Sequence, residues 1–118
     1  MTENAPKTDR LTTTRALEDL AMSGRLYAEL FHHGSVDVGI YKPQGEDGQG
    51  PHQRDELYVI ATGRGYFECE GRARQPVEPG EVIIVPAGVA HRFVDFTDDF
   101  STWVFFYGPQ GGEVPGGT

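Results

Sequence analysis

A chain of 118 residues has room for one domain with a modest core, and a net charge of −8 with no basic stripe argues against nucleic acid as a partner. No apolar run approaches the ~20 residues needed to span a membrane. Sixteen glycines and eight prolines point to a turn-rich, mainly β chain.

The first residues, MTENAPKTDR, lack the apolar centre of a signal peptide. The single cysteine, Cys69, has no partner for an internal disulfide and alternates within YFECEG like a small strand hydrophobe. The default compartment is therefore cytoplasmic. Residues 1–13 read as polar and loosely held. TRALEDLAMSG then places Leu17, Leu20 and Ala21 at helical spacing, with Thr14 as the cap and Gly24 as the stop. A helix this short needs a surface to dock on.

From Arg25 the pattern changes to short strands between turn residues: RLYAELFHH, SVDVGIY, DELYVIA, GYFECE, EVIIVP, HRFVDF and STWVFFYG. KPQGEDGQGP forms a long Gly-rich loop, and PQGGEVPGGT a flexible tail. This succession predicts a sandwich or barrel. The division is a polar segment and helix over 1–25, a barrel over 26–109 and a tail over 110–118.

Two stretches carry chemistry. In PHQRDELYVIATGRG, residues 52, 54, 56 and 58 share one face of an extended strand, so His52 and Glu56 can converge on one interior point. In GEVIIVPAGVAHRFVD, Pro86 ends a buried apolar strand, the Pro-Ala-Gly turn re-aims the chain, and His91 opens the next strand.

Together these stretches resemble the two motifs of the cupin superfamily: Gly, His-x-His, Glu and Gly, then Gly, Pro-x-Gly, His and Asn. The first matches at His52, Glu56 and Gly63, with Gly50 where the earlier histidine would stand. The second matches at Gly80, Pro86, Gly88 and His91, with Asp95 in place of Asn. Residues 64–79 make a gap between the two stretches similar to the short one of small microbial cupins. In the other register Arg54 would replace the later histidine and stand too close to Glu56, so His52 is assigned as the later one.

The resemblance implies a double-stranded β-helix, or jelly-roll, barrel of the RmlC-like kind, with a short helix ahead of it. It also implies a divalent metal ion held by His52, Glu56 and His91. Two imidazoles and a carboxylate suit non-haem iron, while manganese, nickel, zinc and copper stay open. The implied activity is metal-dependent oxygenation or isomerisation of a small organic molecule, and the implied assembly is a homodimer. The alternatives are a barrel that binds or senses a small molecule without turning it over, and a metal-free structural barrel.

Around these ligands, Tyr58 and Phe93 share the inward parity and are candidate pocket walls; Tyr58 is also the candidate general base. Arg54 shares that parity, and a guanidinium facing the cavity would favour an anionic substrate. Asp55 points outward to solvent by the same alternation, as does Gln53. Adjacent His32 and His33 face opposite ways and read as surface or turn residues. Trp103, Phe105 and Tyr107 share one face of the last strand and Val104 and Phe106 the other, either of which could be the inner one.

Overall fold

A computed structural model describes residues 10–114. Helix α1 (Thr13–Ser23) begins after Thr12, which has an extended backbone and whose side-chain oxygen accepts the Arg15 amide at 3.2 Å. The cap is thus Thr12 rather than Thr14, which lies in the first helical turn. Gly24 ends the helix as expected, in the left-handed conformation (φ 71°) with its amide bonded to the Ala21 carbonyl. Ala16 and Leu20 form the buried face with Leu17 partly covered, whereas Ala21 is exposed, because the docked stripe runs one position earlier than the spacing suggested. That stripe packs on Ile40, Ala28, Leu30 and Trp103, and the Trp103 indole donates to Thr13 Oγ1 at 3.3 Å.

Eight strands follow: β1 (Tyr27–His33), β2 (Val36–Tyr41), β3 (Asp55–Thr62), β4 (Gly65–Cys69), β5 (Gln75–Val77), β6 (Val82–Val85), β7 (His91–Val94) and β8 (Ser101–Tyr107). They form a five-stranded sheet in the order β1-β2-β8-β3-β6 and a three-stranded sheet in the order β5-β4-β7, all pairs antiparallel. The architecture is the mainly β double-stranded β-helix, with one short helix ahead of it. Strand β5 lies between GYFECE and EVIIVP, where the sequence pattern predicts no strand; as an outer strand it tolerates Pro76, whose missing amide is no loss there.

Between the sheets Tyr58, Ile60, Val77, Val85, Phe93, Phe100 and Val104 make the main core. Burial alternates along β3, with Glu56, Tyr58 and Ile60 buried and Leu57 and Val59 half-covered. On β8 the register pairs Glu56 with Phe106 and Tyr58 with Val104, so Val104 and Phe106 form the inner face and Trp103 the outer one. Gly63 has φ 76°, and a Cβ there would lie 2.6 Å from Phe100 Cα, so only glycine fits the turn between β3 and β4. Asp95, standing where the motif has Asn, adopts φ 50° and pairs with Arg74 at 2.7 Å; Asn and Asp are the side chains that best accept this conformation.

Asp55 is buried rather than solvated. Its Oδ1 receives the Ala87 amide at 2.9 Å and its Oδ2 the Glu113 amide at 2.7 Å. It thereby fastens the Pro-Ala-Gly turn to the start of β3 and holds the beginning of the segment read as tail. Gly111 adds a bond to the Gln53 carbonyl at 2.6 Å. No helix among the described residues is long and apolar enough to cross a membrane.

Candidate metal centre

Three elements deliver the site. Glu56 projects from β3 and is 1% exposed, held between Val85 of β6 and Phe106 of β8 in register. His91 opens β7 with its ring wholly enclosed. His52 lies in the irregular stretch before β3, its ring edge-on to Phe106 with centroids 5.2 Å apart, and its carbonyl accepts the Gly88 amide at 2.8 Å. The donor atoms of these three residues all fall within 4.8 Å of one another.

Glu56 Oε1 is the centre of convergence. His91 Nε2 is 3.3 Å away and His52 Nε2 3.8 Å, yet this buried oxygen makes no hydrogen bond of acceptable geometry. The reason lies behind His91, where Nδ1 donates to the Val89 carbonyl at 2.8 Å. In the neutral ring Nε2 then carries a lone pair, which lies within reach of the Tyr58 hydroxyl at 3.0 Å, while Glu56 Oε1 stands beside it with no donor of its own. A cation between Glu56 Oε1 and the imidazole nitrogens, either a proton or a metal ion, would satisfy the buried oxygen. Burial works to lower the His91 pKa, but the Glu56 carboxylate and the Val89 carbonyl outweigh it and raise the value above that of an ordinary histidine. Donors sharing one ion lie about 3.0–3.5 Å apart when each is about 2.1 Å from it. Glu56 Oε1 and His91 Nε2 stand at that separation and His52 Nε2 a few tenths of an ångström outside it, so the residues fit a divalent cation with a small inward shift of His52.

Three further residues complete the surroundings, and two of them were not anticipated. Tyr58, buried on β3, places its hydroxyl 3.0 Å from His91 Nε2 and 3.1 Å from Gln49 Oε1. Burial, then the Glu56 charge, pushes its pKa far above the ordinary tyrosine value, so it stays a phenol and acts as donor rather than base. Gln49, from the Gly-rich loop, puts Oε1 2.9 Å from His52 Nε2. Asp47, 5% exposed in the same loop, accepts four donors: the Tyr41 hydroxyl (2.6 Å), the Gln49 amide (3.2 Å), Gln49 Nε2 (2.8 Å) and the Phe93 amide (2.9 Å). A buried carboxylate in a loop is the signal that GEDGQG carried, though composition could not separate it from a solvated turn.

A cavity of about 330 Å³ opens onto the site, walled by Tyr27, Tyr41, Val104 and Phe106 and floored by Gln49, His52, Glu56 and Tyr58. Tyr27 reaches it by lying across Gly39, where any Cβ would collide with the ring. Phe93 lies behind Tyr58 in the core, ring centroids 4.9 Å apart, and does not line this cavity. Arg54 does not line it either. The chain bends at residues 53–54 before β3 begins, which breaks the alternation, and the guanidinium turns to Asp37 (2.7 Å), the Gly108 carbonyl (3.0 Å) and the Ser35 carbonyl. His32 and His33 stay at the surface, His32 Nδ1 bonding Asp37 at 2.6 Å. A larger recess of about 640 Å³, between β4, β5 and β6, contains none of the three candidate ligands.

Residues 38–107 match the profile of the cupin domain family. The chain belongs to the cupin family. A protein of Streptomyces coelicolor, SCO3923, is 34% identical over 104 residues, covering 86% of this cupin and 93% of that chain. The acireductone dioxygenase of Schizosaccharomyces pombe is 40% identical over 53 residues, which is 42% of this cupin and 30% of that enzyme. The crystal structure of a cupin 2 conserved barrel domain protein from Salinispora arenicola superposes with a TM-score of 0.62 over 89% of this chain and 91% of that one, at 22% identity.

Proposed function

We propose that this cupin is a metal-dependent enzyme for a small organic molecule, catalysing oxygenation or isomerisation with a divalent ion held by His52, Glu56 and His91. The observation that carries the reading is the unpartnered buried oxygen of Glu56 facing two imidazole nitrogens, beside an apolar cavity. The local similarity to acireductone dioxygenase, over 30% of that enzyme, supports the oxygenase arm. A bound ion would supply Lewis acidity or a site for dioxygen.

The chain's own residues prepare the rest. Tyr27, Tyr41, Val104 and Phe106 exclude water and hold the apolar body of a substrate. Tyr58 offers its phenolic proton where a substrate oxygen would lie beside His91. With Arg54 engaged elsewhere, no Lys or Arg among the described residues lines this cavity, which favours a substrate without a carboxylate. Fe, Mn, Ni, Zn and Cu all accept this donor set.

Metal content of untagged protein after loading tests the reading. Stoichiometric metal is expected in the wild type and loss of it in His91→Ala; wild type that retains none after reconstitution refutes the metal, and equal retention by the variant refutes the ligand set. Oxygen uptake across catechols, thiols and keto acids, with product analysis for isomers of each, then separates turnover from binding alone. Self-association belongs to the same reading. Val82 and Ile84 stand 60% and 67% exposed on outer strand β6, an edge unpaired among the described residues that a second copy would cover. A monomer by light scattering at all accessible concentrations would refute that part.

A further inference from the structure

We infer that Gln49 supplies the fourth protein donor of the metal centre, its side-chain oxygen aimed by Asp47 into the coordination position that Gly50 leaves without a histidine. The inference rests on the proposed metal site and concerns how that site is completed.

Orientation is the first argument. Gln49 Nε2 donates to Asp47 Oδ2 at 2.8 Å, which fixes which end of the amide faces inward. Asp47 is itself immobilised by the Tyr41 hydroxyl and the Phe93 amide, so the clamp belongs to the core and not to a mobile loop tip. The oxygen therefore points at the site, where an unclamped amide could equally present its NH₂ group, which cannot ligate.

Separation is the second. Gln49 Oε1 lies 2.9 Å from His52 Nε2. In the metal-free chain that contact is a hydrogen bond, with the proton on His52 Nε2. Once His52 ligates through Nε2 the proton is gone, and two lone pairs face each other at 2.9 Å. That contact is repulsive unless both serve one cation, for which neighbouring oxygen and nitrogen donors about 3.0 Å apart are normal. The same argument applies to Glu56 Oε1 and His91 Nε2 at 3.3 Å, so the two pairs form a consistent set.

Space is the third. A Cβ at Gly50 would meet no atom within 4 Å, so packing does not forbid a side chain at the motif position. The position is without an imidazole while the neighbouring residue reaches the site from the same loop. Gln49 replaces a nitrogen donor with a neutral oxygen donor, which makes the set harder and shifts preference toward iron and manganese over zinc and copper.

The test uses the full chain loaded with Co(II). A crystal structure of the loaded protein is expected to place Gln49 Oε1 within about 2.3 Å of the ion, and chelator competition is expected to show a loss of about 10–100-fold in affinity for Gln49→Leu. Thermal melts in chelator establish that the variant folds, and the distance in the wild type decides the matter if it does not. Co(II) held by His52, Glu56 and His91 with Gln49 Oε1 beyond about 3 Å overturns this inference and leaves the proposed function standing. Failure of the wild type to bind Co(II) overturns both.

Discussion

Replacing Glu56 with glutamine should raise the stability of the metal-free protein while weakening its metal binding, and the sign of the first effect should depend on pH. In the metal-free chain above the His91 pKa, a buried carboxylate oxygen with no hydrogen bond stands 3.3 Å from a neutral imidazole nitrogen that cannot donate to it. An unsatisfied buried polar group costs about 1–3 kcal/mol, and more when charged. Glutamine keeps the volume, removes the charge and can turn its NH₂ group to His91 Nε2. A gain of about 1–3 kcal/mol follows, or roughly 3–6 °C in Tm for each kcal/mol at this chain length. Below the His91 pKa the protonated ring pairs with the carboxylate, and the substitution removes that pair instead.

The sign of the linkage is fixed by His91. Its folded-state pKa is raised, so its stabilisation is complete below the unfolded value of about 6.5 and is lost as pH rises through the folded value. Wild-type Tm in chelator should therefore fall as pH rises through that window, and Glu56→Gln should flatten the slope, so the two curves cross. Metal affinity should drop by more than the about 10–100-fold typical of losing a supporting group. Denaturant unfolding in chelator at both ends of the window, with Co(II) competition alongside, reads all three. A variant less stable than wild type at the alkaline end, with an unchanged slope, would refute the view of Glu56 as a carboxylate awaiting a cation.

Other substitutions probe the parts around the site. Arg54→Ala removes the link from the β1–β2 turn to Gly108 and should cost about 1.5–3 kcal/mol in denaturant unfolding without altering Co(II) affinity. Loss of metal binding there would place Arg54 in the site after all. Asp37 is held below the usual carboxyl range by its hydrogen bond to His32 and then by Arg54, against the opposing effect of burial. Its contribution is thus present above the unfolded value of about 3.9 and vanishes as pH falls through the folded one. Asp37→Asn should flatten the acid limb of a Tm–pH curve, and an unchanged limb would show that the pair adds nothing. Gly63→Ala should cost more than about 2 kcal/mol, combining a left-handed backbone penalty with the close approach of Phe100. Unfolding indistinguishable from wild type would mean that the turn relaxes freely.

The fold was legible because its signals are local and repeated. Alternation in DELYVIA and STWVFFYG, and glycines at turns such as Gly24 and Gly63, each constrain a few residues without reference to distant ones. What alternation could not decide was the inner face of β8, since Trp103 and Val104 are equally suited to burial. Two different cores take them: Val104 goes to the space between the sheets and Trp103 to the patch under α1. The docking of a helix on the outer face made both faces apolar, which erased the contrast that marks an inside. The helix cap moved from Thr14 to Thr12 for a related reason, three consecutive threonines offering the same chemistry at neighbouring positions.

The site was legible where it follows strand geometry and illegible where it does not. Glu56 and Tyr58 obey the two-residue period, and His91 follows a turn whose sequence fixes its path. Arg54 and Asp55 depart from the period for opposite reasons. The bend at residues 53–54 sends a long cation out to Asp37 and two carbonyls, while the short carboxylate of Asp55 is buried because Ala87 and Glu113 bring it backbone amides. Neither partner is near in sequence. Gln49 and Asp47 are a harder case still, since nothing distinguishes GEDGQG from a solvated loop until Tyr41 and Phe93 arrive from other strands to satisfy the Asp47 carboxylate. The Gln49 amide oxygen, one position from the missing histidine, comes to stand 2.9 Å from His52 because a buried carboxylate of the same loop aims it.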